Sequence, residues 1–153
     1  MNPNIQTLIE KSPKAAAKLE HAIQDYRHAK DDLAHSVADL KHAKNDCAHA
    51  IKDLEHLIND FEHALADWAT GGTKNDHANE DAAHAKTDKI HAAKDLEHAA
   101  KDITHSLSDF RHARRDLTHL DKDLAAVAKI AKEKGVSISL EDLKSHVTTG
   151  INV

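Results

Sequence analysis

The chain is expected to be all-α: a long antiparallel two-helix hairpin of coiled-coil type, followed by a short C-terminal helix. Three observations predict this. No proline or glycine interrupts two stretches of about sixty residues, one running from Pro13 at its start to Ala69 and the other from Lys74 to Lys134. One strong breaker, Thr70-Gly71-Gly72-Thr73, lies between them. Both stretches repeat with a period of seven residues, the spacing of helices that pack along a seam.

Each element has its own signal. Residues 1–12 form an N-terminal segment in which Ile5 to Lys11 reads as a brief helix. Ser12-Pro13 is an N-cap followed by proline at the first helical position, so the first long helix is expected over 13–69. Residues 70–73 form the turn, and the second long helix is expected over 74–134, with Gly135 as its C-terminal cap. At 1.5 Å per residue each helix would span roughly 85–90 Å, and so short a turn makes them antiparallel neighbours. Residues 135–153 hold the short last helix and a tail. The two arms also resemble each other: the segment from His35 to Asp46 parallels that from His105 to Asp116, as heptad duplication would produce.

Composition narrows the class. Aromatics are 3% of 153 residues, with four glycines and two prolines, so large apolar side chains are too few for a thick core and a narrow seam is expected. No apolar run is long enough to cross a membrane, and the first residues lack the basic and hydrophobic regions of a signal peptide, which points to the cytoplasm. Cys47 is the single cysteine, which excludes a disulfide framework and a thiolate cluster. Net charge is −5, although fourteen of the 26 acids belong to one repeating pattern and the remaining surface is net basic. Lysines interspersed with acids, without an aromatic platform, do not make a nucleic-acid footprint.

Fourteen of the fifteen histidines fall on the heptad grid, and each is followed four residues later by aspartate. The first series pairs His21 with Asp25, His28 with Asp32, His35 with Asp39, His42 with Asp46, His49 with Asp53, His56 with Asp60 and His63 with Asp67. The second pairs His77 with Asp81, His84 with Asp88, His91 with Asp95, His98 with Asp102, His105 with Asp109, His112 with Asp116 and His119 with Asp123. Residues four apart are neighbours on a helix surface, so each pair sets an imidazole beside a carboxylate. These 28 residues are the candidate metal ligands.

At about 100° per residue, with histidine at 0°, aspartate lies near 50°, the next position near 100° and the fifth near 150°. The position after histidine is alanine or serine in twelve of fourteen repeats, and the fifth position carries bulk, as in Tyr26, Leu33, Leu54, Phe61, Trp68, Ile103 and Phe110. Both rows are expected to form the seam, with histidine and aspartate along one edge. If the turn centres near Gly72, residues whose numbers sum to 144 come level. Seven quartets follow, from His63, Asp67, His77 and Asp81 at the turn to His21, Asp25, His119 and Asp123 at the open end.

Two imidazoles and two carboxylates suit tetrahedral Zn²⁺, with Cu²⁺, Ni²⁺ and Co²⁺ as alternatives. The array would hold about seven ions, spaced about 10 Å apart, as separate sites rather than a cluster. Storage, sequestration or buffering is the expected role. The alternative is a metal-free, structural or pH-responsive coiled coil whose His-Asp hydrogen-bond ladder drives folding. An enzyme is not expected, because four protein ligands leave no open position for substrate and no nucleophile constellation or phosphate loop appears. Cys47 reads as a seam residue, and His146 lies off the grid. Metal ions are the expected partners, with neither nucleic acid nor membrane. Two hairpins pairing their polar faces would make a homodimeric four-helix bundle with the ions inside.

The segment from Leu124 to Leu143, LAAVAKIAKEKGVSISLEDL, resembles the nitrile hydratase-like leader peptide family, also associated with nitrogen-fixation gene neighbourhoods. The likeness covers about twenty residues. It implies a helix ending at Gly135 and a new helix opened by Ser139, whose spacing to Asp142 is that of a capping box. Residues Asn4 to Lys11 would supply that family's first helix, leaving the ladder as an insertion. In that family the leader guides modification enzymes to a peptide cargo.

Overall fold

A computed structural model of the chain describes residues 2–70 and 75–149, and Gly71, Gly72 and Thr73 of the expected turn lie outside them. The described residues form four α-helices: α1 (Pro3–Lys11), α2 (Pro13–Thr70), α3 (Asn75–Glu133) and α4 (Leu140–Thr149). Helices α2 and α3 are the two long arms, and they pack closely against each other. Among the described residues no helix is long and apolar enough to cross a membrane.

The helix ends are fixed by local chemistry. Asn2 caps α1, its side chain accepting from the Asn4 amide at 2.9 Å, and Pro3 occupies the first turn, where its missing N–H costs nothing. This cap starts α1 two residues before the expected Ile5. Ser12 separates α1 from α2, its hydroxyl accepting from the Ala15 amide at 3.2 Å. At the far end of α3, Gly135 adopts φ 65°, where a side chain would be strained, and the Val136 amide reaches back to the Ala131 carbonyl at 2.9 Å. Ser139 and Asp142 close a reciprocal box on α4. The Ser139 amide donates to Asp142 Oδ2 at 3.1 Å, and the Asp142 amide donates to Ser139 Oγ at 3.0 Å. Aspartate thus takes the place that glutamate or glutamine usually fills.

The chain divides into two units, Met1–Ser36 with Ser108–Val153, and Val37–Leu107. The first unit has a true apolar core. Ile5 and Leu8 of α1, Leu19 of α2, Leu124 and Val127 of α3, and Leu143 and Val147 of α4 are each no more than 2% exposed. Four helices converge there, so side chains from the short terminal helices supply the bulk that the heptads lack. A narrow seam was expected throughout; α1 and α4 thicken it in this unit.

The second unit is built differently. Among its described residues the buried ones are Ala43, Ala50, Ala64, Ala78, Ala85, Ala92, Ala99 and Ser106, all of them directly after a ladder histidine. Leu57, at the same heptad position, is half-buried. Most of the row expected to share the seam does not, although Cys47, which belongs to it, is half-buried. Leu40, Leu54, Phe61, Trp68, Leu96 and Ile103, five residues after histidine, remain 42–49% exposed. In the first unit Leu33, Phe110 and Leu117 of the same row are exposed as well, while Leu124 is buried. The reason is geometric: one-carbon side chains let two backbones approach until contact centres on the alanine row itself, which turns the neighbouring 150° row out to the flank. Each buried alanine methyl contributes about 0.8 kcal/mol, against roughly 1.5–3 kcal/mol for a fully buried leucine, so this seam is a weak one.

Candidate metal centre

The alanine seam places the ladder. Aspartate, about 50° to one side of the contact line, points into the groove between the helices, while histidine, about 100° away, stands above it. Asp25 is buried, at 7% exposure, and the other thirteen ladder aspartates are all half-buried; the fourteen ladder histidines are all exposed. The arrangement is thus a sunken row of carboxylates on each helix beneath an outer row of imidazoles. Acids of α2 and α3 outside the ladder, such as Asp31, Glu55, Asp76 and Asp121, are exposed.

Cross-helix contacts follow the sum of 144. In the first unit His21 Nδ1 lies 2.7 Å from Asp123 Oδ2, and in the second His77 Nδ1 lies 2.7 Å from Asp67 Oδ2. Both are hydrogen bonds when Nδ1 carries the proton. Each ring also approaches the aspartate four residues on in its own helix, His21 to Asp25 Oδ2 at 3.3 Å and His77 to Asp81 Oδ2 at 3.4 Å.

Three groups bring ligand atoms within 4.8 Å of one another: His21, Asp25 and Asp123; Asp25, Asp116 and His119; and Asp67, His77 and Asp81. The first and third each contain three members of an expected quartet. The second adds Asp116, which the quartets assign to the next level, so Asp25 serves two groups. The ladder residues of the five intermediate levels, Asp116 apart, lie on the same rows but join no such group among the described residues. His146, off the grid, is half-buried on α4, and burial holds its pKa below the ordinary value.

The two end groups share a further property. Asp25 Oδ2 and Asp81 Oδ2 are buried carboxylate oxygens without a hydrogen-bond partner. An unsatisfied buried acceptor costs about 1–3 kcal/mol, more for a charged one, so each is a place where a cation would be stabilised. The electrostatics agree. Burial pushes the Asp25 carboxyl above its ordinary pKa, Asp116 and Asp123 push the same way, and His21 and His119 pull against them. Burial also raises Asp123, but hydrogen bonds from Lys18 and His21 outweigh it and leave the group below its ordinary value. Lys18 Nζ lies 2.6 Å from Asp123 Oδ1. The quartets did not include this lysine, yet the pattern contains the signal: Lys18 is one heptad before Asp25 and occupies the aspartate row where the ladder stops. There an ammonium pairs with a carboxylate of the groove.

Two imidazole and carboxylate donor sets of this kind are chemically matched to a borderline divalent ion such as zinc, which takes nitrogen and oxygen at about 2.0–2.2 Å. Comparison with known proteins gives no identification: no protein-family model, curated protein or solved structure matches the chain.

Proposed function

We propose that this protein binds divalent transition-metal ions along its His/Asp face, zinc foremost and Cu²⁺, Ni²⁺ or Co²⁺ as alternatives, and serves as a cytoplasmic store or buffer for them. One observation carries the reading. The same triad occurs at both ends of the ladder, a histidine between a cross-helix aspartate and its own-helix aspartate, and in each the latter keeps a buried oxygen unsatisfied. Hydrogen-bond ladders satisfy their acceptors; this one leaves at each end the atom that a metal would take.

His21, Asp25 and Asp123 would hold one ion, Asp67, His77 and Asp81 another, and the intermediate levels the rest, to about seven per chain. The end groups are preorganised, whereas intermediate levels must turn side chains first, so the ends fill first. Each triad draws its ligands from a single chain, so binding does not depend on a second copy. The bound ions are cargo, without a catalytic role. Inductively coupled plasma mass spectrometry and zinc calorimetry on protein purified without an affinity tag test this. The expected result is about seven ions in two affinity classes, and binding of one ion or none overturns the proposal.

A second reading, the metal-free ladder, has one observation in its favour. The hydrogen bond that His77 donates to Asp67 raises the pKa of His77, and Asp81 and Glu80 add to the shift. Under that reading zinc leaves the melting temperature unchanged.

A further inference from the structure

The face of the second unit opposite the ladder is apolar and uncovered. Twelve large hydrophobic side chains between Val37 and Leu107 are 42–67% exposed. At on the order of 100 Å² each, they offer roughly 1,000 Å² of apolar surface, beyond the 300–600 Å² patch of an ordinary monomer and above the ~800 Å² that each partner gives a stable complex. Among the described residues of this unit nothing larger than alanine or serine is fully buried. Its apolar residues are therefore arranged for a core that one chain does not complete.

The angles say what completes it. On each helix the contact line to the other arm lies near 100°, the bulky row near 150°, and a further row, two residues after histidine, near 200°. Val37, Ile51, Ile58, Leu65 and Leu107 occupy that last row. A helix in a four-helix bundle touches two neighbours about 90° apart and points the row between them at the bundle axis. The 100°, 150° and 200° rows match that requirement, with the 150° row as the central core.

We infer that a second copy of this chain covers this face, related by a two-fold axis parallel to the helices, so that α2 lies over α3 of the partner subunit and the two His/Asp faces point outward. The axis choice comes from size and charge. Such a rotation preserves levels, so residues summing to 144 meet: Ile51 meets Ala93 of the partner subunit, and Glu55 comes level with Lys89 of the partner subunit. At this level large meets small and acid is level with base, while elsewhere in the row Ile58 comes level with the aliphatic stem of Lys86 of the partner subunit and Val37 with Leu107 of the partner subunit. The alternative axis, across the helices at this level, sets Ile51 on its own copy and Ala93 on its own copy, and leaves a gap beside the clash. A shallow depression on α3, lined by Lys86, Lys89, Ile90, Ala93, Lys94 and Glu97, lies at the level of Ile51, Leu54, Glu55 and Ile58. The inference is independent of metal binding, because it uses the opposite face.

Sedimentation equilibrium in chelator tests it directly. The expected species is a dimer of the 16.8 kDa chain at micromolar concentration. Ile58→Lys should weaken association roughly tenfold or more, and His49→Ala should not. Because Ile58→Lys can also unfold the unit, a second measurement mixes two Cys47→Ser chains, one with Ile51→Cys and the other with Ala93→Cys. Mild oxidation of that mixture should give covalent dimers of the two chains. A wild-type protein that stays monomeric to 100 µM, that dimerises only when zinc is added, or that instead binds phosphatidylcholine–phosphatidylserine vesicles as a monomer overturns the proposal, as does failure of the cysteine pair to cross-link a dimer.

Discussion

Asp25→Asn separates a metal ligand from a structural carboxylate, because the two roles give effects of opposite sign. Asp25 is buried, one oxygen is unsatisfied, and two further aspartates crowd it. In chelator the neutral amide removes a charge that folding has desolvated, so the variant should melt at the same temperature as the parent or higher. In zinc the order reverses. At a free zinc concentration 100 times the dissociation constant, one site stabilises the fold by about 2.7 kcal/mol. A ligand loss that weakens this site about 100-fold leaves about 0.4 kcal/mol, a difference of roughly 2.3 kcal/mol. For a chain of this size that corresponds to about 5–9 °C in melting temperature. Differential scanning calorimetry of both proteins, with chelator and with zinc, reads the crossover. Equal destabilisation in the two conditions would refute the assignment, since it would mean that Asp25 supports the fold by hydrogen bonding alone.

Replacing His49 and His91 together with alanine should remove one intermediate ion and leave the first-filled class of sites intact, as counted by native mass spectrometry. The His77 pKa is raised by Asp67, Asp81 and Glu80, so its contribution to stability is fully present below about pH 6.5, the unfolded value, and is lost as pH rises through the folded value. NMR titration in chelator should show that pKa fall back toward 6.5 in Asp67→Asn. Zinc shows the opposite trend, because protons compete for imidazole: bound ions should leave as pH falls through roughly 6 to 5, measured by dialysis and metal analysis. Gly135→Ala forces a side chain into φ 65° at the end of α3 and should cost about 1 kcal/mol, seen as faster amide exchange across α4.

The long helices, their caps at Ser12, Gly135 and Ser139, and the cross-helix level of the ladder were all legible in the sequence. Each is a matter of local chemistry or of counting, and the His21–Asp123 and His77–Asp67 contacts obey the count. The position of the bulky row was not legible in the same way. Heptad spacing shows that Leu54 and Ala50 share a face, but not which of them sits on the contact line. That depends on how closely the backbones approach, and twelve small residues in one row decide it. The thick core at the open end was also missed, because Ile5, Leu8, Leu143 and Val147 lie on short helices outside the repeat. Their contribution appears only when the termini fold back on α2 and α3. Asp116 entered an end group for a related reason: it lies three residues before His119 as well as four after His112, and the count used only the second spacing.

If the ladder carries metal as proposed, its depth order, carboxylates below and imidazoles above, would govern traffic as well as affinity. Every ladder ring is exposed, so each can swing off its aspartate without moving an alanine of the seam. Under the metal-binding proposal a cation would reach any rung through solvent rather than protein and would depart the same way. Affinity alone would then set the order in which rungs fill, ends first, with no queue imposed by a channel and no need to part the helices. Exchange with an outside chelator should then run at the pace of side-chain rotation and ligand dissociation, not of unfolding.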